Sequence, residues 1–361
     1  MSRPSKIELP TAARDPRELT EYDAAGRALV TVDPERCRRM ADLVASKGVP
    51  AEREDVPLQG LQADTIANFF FFIVAICHQT SPQGRAPVEG SVGGQHRVGW
   101  DYLVARFEEK SSEDPSWLNP RRWCECSATD VELLFKDEAL GNRLTGIEIR
   151  SRFVRDLGNK MRSAQWASAD DVFSWCQGRI KQAEPNLIDT LGRFEAYRDP
   201  VWKKSLFFLA LMKNCGHWNY VDPEALGPPV DYHELRGHLR LQTVRVIDPT
   251  LLRKLRMRTL VNGEEDVALR RTVFKAIMLI SEWSGVREPS RLHYLFWNLF
   301  RAVCVRMHPR CVATDLPPML PQRYSGQLDV AGAVHCPYES ICPSARTTDP
   351  ILEPIVDTDY Y

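Results

Sequence analysis

The sequence predicts an all-α fold, and three observations lead to that prediction. Apolar residues recur at helical spacing in about ten segments, whereas the apolar–polar alternation of a β-strand is scarce. The connections between these segments are short, as is typical of helices packed on one another. The chain has 361 residues, which is long enough to bury a large core in one or two domains.

The helices are predicted in order from caps and apolar periodicity. Residues 1–55 are polar and predict a partly ordered N-terminal arm, with one helix at about 34–46. A strongly apolar helix follows at 64–78, with Asp64 as its N-cap. Residues 344–361 are rich in Pro, Asp and Thr and predict a loosely ordered tail. The remaining predicted helices lie at about 99–109, 127–135, 145–162, 170–182, 187–194, 199–214, 249–256, 266–283 and 290–305.

The overall charge argues against a large nonspecific DNA footprint. The formal net charge is −1 and the sequence pI is about 6.7, whereas dedicated nucleic-acid binders are often basic. A local basic patch is still compatible with these values, since positive residues cluster in one region. The pattern fits either solvated helix faces or a phosphate-facing surface, and its members are Arg236, Arg240, Arg245, Arg253, Lys254, Arg256, Arg258, Arg270 and Arg271.

No segment of the sequence predicts a membrane span or an export signal. The most apolar run, 67–77, is shorter than the ~18 residues that a spanning helix needs and predicts a buried core helix. The first residues, Met1–Lys6, lack the apolar region of a signal peptide. We therefore expect a cytoplasmic monomer with no membrane partner.

Four of the ten cysteines are grouped near the C-terminal end. Cys304, Cys311, Cys336 and Cys342 have the spacing C-x6-C-x24-C-x5-C. Four thiolates in a reducing compartment typically hold zinc or an iron–sulfur cluster, whereas a disulfide framework is not expected in a long chain without an export signal. The other cysteines are interpreted as buried thiols or structural residues.

The segment around the first two cysteines resembles the iron–sulfur loop of endonuclease III-type DNA glycosylases. That loop has the spacing C-x6-C-x2-C-x5-C, often with Pro-Arg-Cys at its second ligand, and Pro309-Arg310-Cys311 matches this feature. The outer spacings agree, while the middle gap is 24 residues instead of two. The resemblance implies a [4Fe-4S] cluster on the four cysteines, with zinc as the alternative. It also implies that Arg306 and Arg310 contact phosphate.

Two adjacent lysines open an otherwise apolar helix. Lys204 shares a helix face with Phe207, Phe208 and Leu211. An amine in apolar surroundings loses preference for its charged form and becomes a usable nucleophile. The alternative interpretation is a lysine whose amine extends to water along its apolar stem.

A Pro-Pro segment followed by Asp231 predicts a helix start with Asp231 as its N-cap. A carboxylate in that position can also stabilise an oxocarbenium-like sugar or orient a water molecule. Both roles are compatible with the sequence.

These two segments carry a wider resemblance to helical N-glycosylases. Lys204-Ser205 to Met212 and the later Pro-Val-Asp resemble the lysine helix and aspartate of archaeal 8-oxoguanine DNA glycosylases. The order from 197–199 through Lys203 to 231–232 and 238–239 is similar to the queuosine salvage family, over roughly 60–310. This implies a two-lobed DNA-glycosylase-like fold of the helix-hairpin-helix class, although the usual hairpin motif is not legible. The implied divisions are an arm (1–55), a glycosylase-like domain (56–303), a metal loop (304–343) and a tail (344–361).

The sequence therefore predicts a metal-stapled N-glycosylase that removes a modified purine-like base, with DNA or a modified nucleotide as its partner. Asp231 and either Lys204 or Lys203 are the candidate catalytic residues. The alternatives are a queuosine-type nucleotide glycosidase and a noncatalytic nucleic-acid-binding module. Candidate residues for base stacking are Trp202, Trp218, Tyr232 and Trp297, and those for nucleic-acid contact are Arg236, Arg240, Arg306 and Arg310.

Overall fold

The computed structural model describes residues 16–52, 63–81, 86–330, 333–347 and 350–361. Most of its regular structure is helical, with short 3-10 helices between the α-helices. The α-helices are α1 (Pro34–Lys47), α2 (Ala63–Ala75), α3 (Trp100–Glu113), α4 (Pro120–Trp123), α5 (Ala128–Leu134), α6 (Ile147–Ser163), α7 (Ala169–Trp175), α8 (Leu187–Leu191), α9 (Lys203–Asn214), α10 (Tyr232–Leu241), α11 (Pro249–Met257), α12 (Gly263–Ser284) and α13 (Pro289–Ala302).

The strands are short and form three small antiparallel sheets. Their order is β1-β2-β5 in the first sheet, β3-β4 in the second and β6-β8-β7 in the third. The prediction of a mainly helical class is confirmed, although the sequence did not reveal these sheets. The strands are β1 (Thr20–Tyr22), β2 (Ala28–Val32), β3 (Glu89–Val92), β4 (Gln95–Val98), β5 (Val244–Val246), β6 (Val312–Ala313), β7 (Asp329–Val330) and β8 (Val334–His335).

The chain divides into two compact units. The first combines the described residues of Met1–Glu52 with those of Leu226–Asp357, and the second combines those of Arg53–Ala225 with Thr358–Tyr361. The boundary after Ala225 lies inside the range 56–303, which the sequence predicts as one domain with two lobes. The grouping is physical, because each unit buries its own set of apolar side chains.

The first unit joins the described part of the N-terminal segment to the second half of the chain up to Asp357. Helix α1 packs against α12, and strand β2 pairs with β5, which follows α10. The described part of the predicted N-terminal arm is therefore integrated into this unit. In the described part of the predicted tail, Leu352 and Glu353 are buried and Ile355 bridges to Leu260.

The second unit is built around α2. This helix contacts α3, α6, α7 and α9, so it is covered on every side. Four consecutive phenylalanines in it, Phe69 to Phe72, are all at most 1% exposed. A helix that is apolar all round is expected to be buried in this way. None of the helices in the described part of the chain combines the length and apolar content that a membrane crossing requires.

The predicted helix ends agree with the structure where a side chain caps the backbone. Ser127 and Asp130 form a capping box at the start of α5, and Asp248 caps α11 by accepting from the Leu251 N–H at 2.7 Å. The prediction for α2 was different, since the helix begins at Ala63 and Asp64 lies in its first turn. A helix end can thus be predicted from the sequence where the capping residue lies next to the helix that it caps.

Helices α10 and α13 approach each other closely at Gly237. A Cβ atom added there would lie 2.2 Å from the Phe300 ring, which no real contact tolerates. The close approach brings α10 within hydrogen-bonding reach of the segment that follows α13. Gly237 therefore has a packing role rather than a conformational one.

Truncating one of the buried phenylalanines should strongly destabilise the second unit. Phe72 is fully buried and stacks on Phe107 with ring centroids 4.3 Å apart. We expect Phe72→Ala to lower the free energy of unfolding by about 3–5 kcal/mol, because it removes apolar contacts and leaves a cavity. Urea unfolding measures this change. Leu133→Ala is the control, since Leu133 is 60% exposed; equal losses in the two variants would contradict the described core.

Candidate functional site

Asp231 lies at the N-cap of α10, where the sequence places it. The backbone of Asp231 is extended, its Oδ1 accepts from the His233 N–H at 2.7 Å, and its own N–H donates to Glu234 Oε2 at 3.0 Å. The Glu234 backbone N–H also donates to the Asp231 side chain, so Asp231 and Glu234 form a capping box. These bonds fix the carboxylate at the end of the helix where the macrodipole favours negative charge.

The second carboxylate oxygen of Asp231, Oδ2, lies near an indole nitrogen and an imidazole nitrogen. The Trp297 indole N–H donates to Oδ2 at 3.0 Å, and His233 Nδ1 lies 3.2 Å from the same oxygen. The Tyr232 ring packs against the His233 ring at 4.1 Å. The Arg301 guanidinium lies over the Trp297 ring at 4.7 Å. The arrangement holds a carboxylate in one orientation beside half-buried aromatic rings.

A buried Glu–His pair contacts the backbone of Asp231, because Glu234 accepts from the Asp231 N–H and pairs with His293. Glu234 is fully buried, and its Oε1 lies 2.7 Å from His293 Nδ1. Burial raises the pKa of Glu234, an effect that His293 partly opposes. Burial also lowers the pKa of His233, against the attraction of Asp231. The sequence signal for Glu234 was its position three residues after an N-cap aspartate, whereas nothing local indicated His293.

The two candidate lysines begin α9. Trp202 precedes them with a left-handed φ of 57°, and Asp199 Oδ2 accepts from the Lys203 N–H at 2.7 Å. Lys204 is fully buried, and its Nζ donates to the Ala75 carbonyl at 2.7 Å. Burial, reinforced by neighbouring cations, lowers the pKa of Lys204 to about 7. The amine of Lys204 is therefore buried beside a backbone carbonyl and does not extend to water.

Further polar groups surround these amines inside the second unit. Lys203 Nζ lies 3.7 Å from Cys77 Sγ, and Lys204 Nζ lies 3.3 Å from His78 Nδ1. Burial and then the Lys204 cation hold the pKa of His78 well below its usual range. Arg150 is fully buried and donates to the His78 carbonyl at 2.6 Å. The cluster thus concentrates positive charge around a neutral imidazole.

The lysines belong to the second unit and Asp231 to the first. The contacts described for Lys204 lie within the second unit, and those described for Asp231 lie within the first. Their expected cooperation in one reaction stays a prediction from the sequence.

The four candidate stacking residues have different surroundings. Tyr232 and Trp297 flank Asp231, and Trp202 is half-buried with the Lys181 amine 4.7 Å from its ring centroid. Trp218 is 2% exposed, donates from Nε1 to Asp170 Oδ1 at 2.6 Å and stacks on Phe173. Trp218 is therefore a core residue of the second unit, and base stacking does not fit this placement.

Arg236 and Arg240 are inside the first unit rather than on a nucleic-acid surface. Arg236 Nε donates to the Cys304 carbonyl at 2.8 Å, and its Nη1 pairs with Glu353 Oε2 at 3.1 Å. Arg240 donates to the carbonyls of Ile351 and Val305, each at 2.8 Å. Both arginines are at most 3% exposed, so their predicted phosphate contacts do not fit.

The other two arginines proposed for phosphate contact lie nearer to solvent. Arg306 is half-buried and pairs with Glu353, while Arg310 is exposed. The backbone N–H of Arg310 donates to the Val303 carbonyl at 2.8 Å, which closes the loop after α13. Arg310 is thus the better placed of the two for contact with another molecule.

The four C-terminal cysteines line one small cavity, here called the cysteine cavity, at the end of α13. All four thiols are free and half-buried, and apolar neighbours such as Phe300 and Tyr338 complete the lining. Burial raises the pKa of Cys342 to about 11, and the nearby Cys304 and Cys311 add to the shift. The backbone N–H of Cys336 donates to the Cys311 carbonyl at 2.9 Å, so β6 and β8 bring the second and third cysteines together across the long insertion.

The donor set of the cysteine cavity suits a thiolate-binding metal. Arg240 Nη1 lies 3.2 Å from Cys304 Sγ, and a guanidinium there would stabilise a thiolate. The thiol groups as placed do not form a metal-binding group, and the same holds for every set of three or more His, Cys, Asp and Glu residues in the described chain. Which metal the cavity holds is therefore a matter of proposal.

No protein-family model matches this chain, and no curated protein is significantly similar to it.

Removing the charge of Glu353 should destabilise the first unit. Burial alone raises the pKa of Glu353, but Arg236 and Arg306 outweigh it, so its pKa lies below the ordinary value of 4.5. The carboxylate therefore contributes stability above pH 4.5 that is lost as the pH falls through the lower folded-state pKa. We expect Glu353→Gln to cost about 3–5 kcal/mol at neutral pH, because it leaves a buried guanidinium unpaired.

Urea unfolding at several pH values measures this effect. Glu35→Gln is the matched control, since Glu35 pairs with Arg39 on an exposed face of α1 and such pairs contribute at most about 1 kcal/mol. A loss no larger than that of the control, or one independent of acid pH, would contradict the role assigned to Glu353.

Proposed function

We propose that this chain is an N-glycosylase that removes a modified, purine-like base from DNA. The observation that carries the proposal is the Asp231 carboxylate, which His233 and Trp297 hold in a fixed orientation. The half-buried rings of Tyr232 and Trp297 lie beside it. A carboxylate beside aromatic rings suits a flipped nucleotide, since the rings stack the base and the carboxylate faces the sugar.

The chemistry requires negative charge next to a developing sugar cation. When the C1′–N bond breaks, its electron pair leaves with the base, and the sugar becomes oxocarbenium-like. In our proposal Asp231 stabilises that cation and orients the group that attacks C1′. The departing base takes up a proton, and the attacking water or amine loses one. Glu234 and His293 act as positioning residues, because they reach Asp231 through its backbone N–H.

The lysine pair is the candidate that the sequence resemblance implies for the attacking amine or its base; it lies in the second unit, whereas Asp231 lies in the first, so the proposal rests on Asp231. An amine with a pKa of about 7, as burial gives to Lys204, is substantially neutral at physiological pH and can accept a proton or form a bond. Lys203 is 8% exposed, against 0% for Lys204, so Lys203 is the closer of the two to solvent. Direct attack by either amine would give a Schiff base with the sugar.

We further propose that Cys304, Cys311, Cys336 and Cys342 hold a [4Fe-4S] cluster, with zinc as the alternative. Their shared cavity supports this proposal, as does the absence of any competing disulfide among the described cysteines. The metal would be structural, since its ligands would tie the segment after α13 to β8 and the following 3-10 helix. Base release itself needs no electron transfer.

Metal analysis tests the cysteine cavity directly. We expect anaerobically purified protein to be brown and to contain about four iron atoms per chain; about one zinc in a colourless protein would favour the alternative. Cys336→Ser should lower the metal content, because it removes a ligand, whereas Cys215→Ser should not. Cys215 is the control because its thiol lies in the second unit, where it bonds to the Met212 carbonyl. Protein with neither metal would contradict the proposed site.

Replacing Asp231 by Asn tests the catalytic role apart from the capping role. Asparagine caps helices about as well as aspartate, so α10 should persist while the negative charge is lost. We expect Asp231→Asn to lower the rate of base release at least about 100-fold. The measurement is chromatographic detection of free base from oligonucleotides with modified purines, in parallel with the corresponding free nucleotides.

Asp248→Asn is the matched control, because Asp248 caps α11 in the same unit by accepting from the Leu251 N–H. Lys204→Met, which keeps the length of the side chain without its amine, tests the lysine pair in the same assay. Equal activity of Asp231→Asn and Asp248→Asn would reduce Asp231 to a helix cap. Base release from free nucleotides alone would move the substrate from DNA to the nucleotide.

A further inference from the structure

The arginine-rich region of the sequence separates into three groups in the structure. Arg236, Arg240 and Arg270 are buried, and Arg271 is half-buried near Glu21. Lys254 is half-buried and pairs with Glu265. The remaining arginines, on β5, on α11 and directly after α11, are exposed. Charge counting along the chain could not separate these groups, because buried and exposed arginines alternate within α10 to α12.

Three of the exposed arginines line one groove of the first unit. We define the basic groove by four of its lining residues, Arg245, Arg256, Arg258 and His308. Arg245 lies on β5, Arg256 and Arg258 lie at the end of α11, and His308 lies in the loop that carries the first two cysteines. Basic side chains from three separate segments thus line the same groove.

The other lining residues support a recognition surface for phosphate. No Asp or Glu lines the basic groove among the residues that the structure describes. Leu239, Val244 and Leu255 form a buried apolar floor and are each at most 5% exposed, while Met307 in one wall is 51% exposed. Arg245 also pairs at 3.6 Å with Asp33, which lies outside the lining. The groove therefore offers an outside partner positive charge that no carboxylate of its own described lining neutralises. A repeated line of negative charge at the surface is the complementary chemistry, and a nucleic-acid backbone provides it.

The absence of aromatic rings favours a duplex over a single strand. Proteins that hold single strands stack successive bases on Phe, Tyr or Trp side chains. Within the described lining there is no Phe, Tyr or Trp. A duplex keeps its bases stacked internally and presents only its backbone, so it matches a rim of arginines without a stacking platform.

We propose that the basic groove binds the phosphate backbone of duplex DNA. The inference deepens the proposed function, because it names the surface that grips the macromolecule while the base is removed elsewhere. It rests on that function only for the choice of DNA. The near-neutral net charge of the chain implies that binding is local to this groove rather than spread over the surface.

The experiment is fluorescence anisotropy with the full chain and a fluorescein-labelled duplex of ordinary bases, titrated at several salt concentrations. We expect Arg256→Gln to weaken binding and to reduce the slope of log affinity against log salt by about 0.9, the value for one phosphate contact. The double variant Arg245→Gln/Arg256→Gln should reduce it by about 1.8. Circular dichroism confirms that each variant is folded.

Arg253→Gln is the matched control, because Arg253 is an exposed arginine of the same helix that does not line the groove. It should leave both affinity and slope close to those of the unsubstituted chain. Equal slopes for Arg256→Gln and Arg253→Gln would overturn the assignment of the groove. Tighter binding of single strands, duplex RNA, a mononucleotide or an acidic peptide would overturn the choice of duplex DNA.

Because the probe has no modified base, binding is measured whether or not the chain cleaves a glycosidic bond. Retained binding without base release would refute the proposed function and leave the groove intact. Base release that the groove variants do not change would leave the proposed function intact and refute the role of the groove.

Discussion

The first unit depends on two buried arginines of α10, which hold the segment after α13 in place. Arg236 and Arg240 are one helical turn apart, so they project from the same face. Together they donate to the carbonyls of Cys304 and Val305, and Arg236 also pairs with Glu353 in the tail. Arg236 also donates to the Phe300 carbonyl, one of the last carbonyls of α13, which helix geometry leaves without partners. A cluster of buried charge is tolerated here because nearly every donor has an acceptor.

The same helix connects this cluster to the candidate catalytic carboxylate. Asp231 caps the N-terminal end of α10, and Arg240 lies in its last turn. Gly237, between them, allows α10 to approach α13 closely enough for Trp297 to reach Asp231 and for Arg236 to reach Phe300. A rigid helix fixed at both ends holds its cap in a defined orientation, and catalysis by a carboxylate requires that orientation.

The parts of this structure that the sequence could predict are those in which cause and effect are close along the chain. Apolar periodicity predicted the helices, and the residue type at position 231 predicted the cap that starts α10. Burial of Arg236 and Arg240 could not be predicted, because it depends on Glu353 and on carbonyls more than 60 residues away. The pairing of β2 with β5 joins segments about 200 residues apart. The sequence therefore could not predict that the N-terminal segment belongs to the first unit. The surroundings of Lys204 could be predicted only in part. Its apolar helix face follows from neighbouring residues in the sequence, whereas His78 and Arg150 are distant along the chain.

The cysteine-bearing loop contributes to two features of the first unit at once. Its cysteines line the cysteine cavity, and its exposed Met307 and His308 form one wall of the basic groove. Arg240 contacts this loop at three successive residues, Cys304, Val305 and Arg306. A ligand that binds the four thiols would therefore restrain the same backbone that shapes the groove, since the loop has a fixed anchor at one end and the thiols along its length. The insertion of 24 residues between Cys311 and Cys336 does not interrupt this arrangement, because β6 and β8 pair directly and return the chain to the cavity. The spacing along the sequence is consequently a weaker guide to such a site than the strand pairing that closes it.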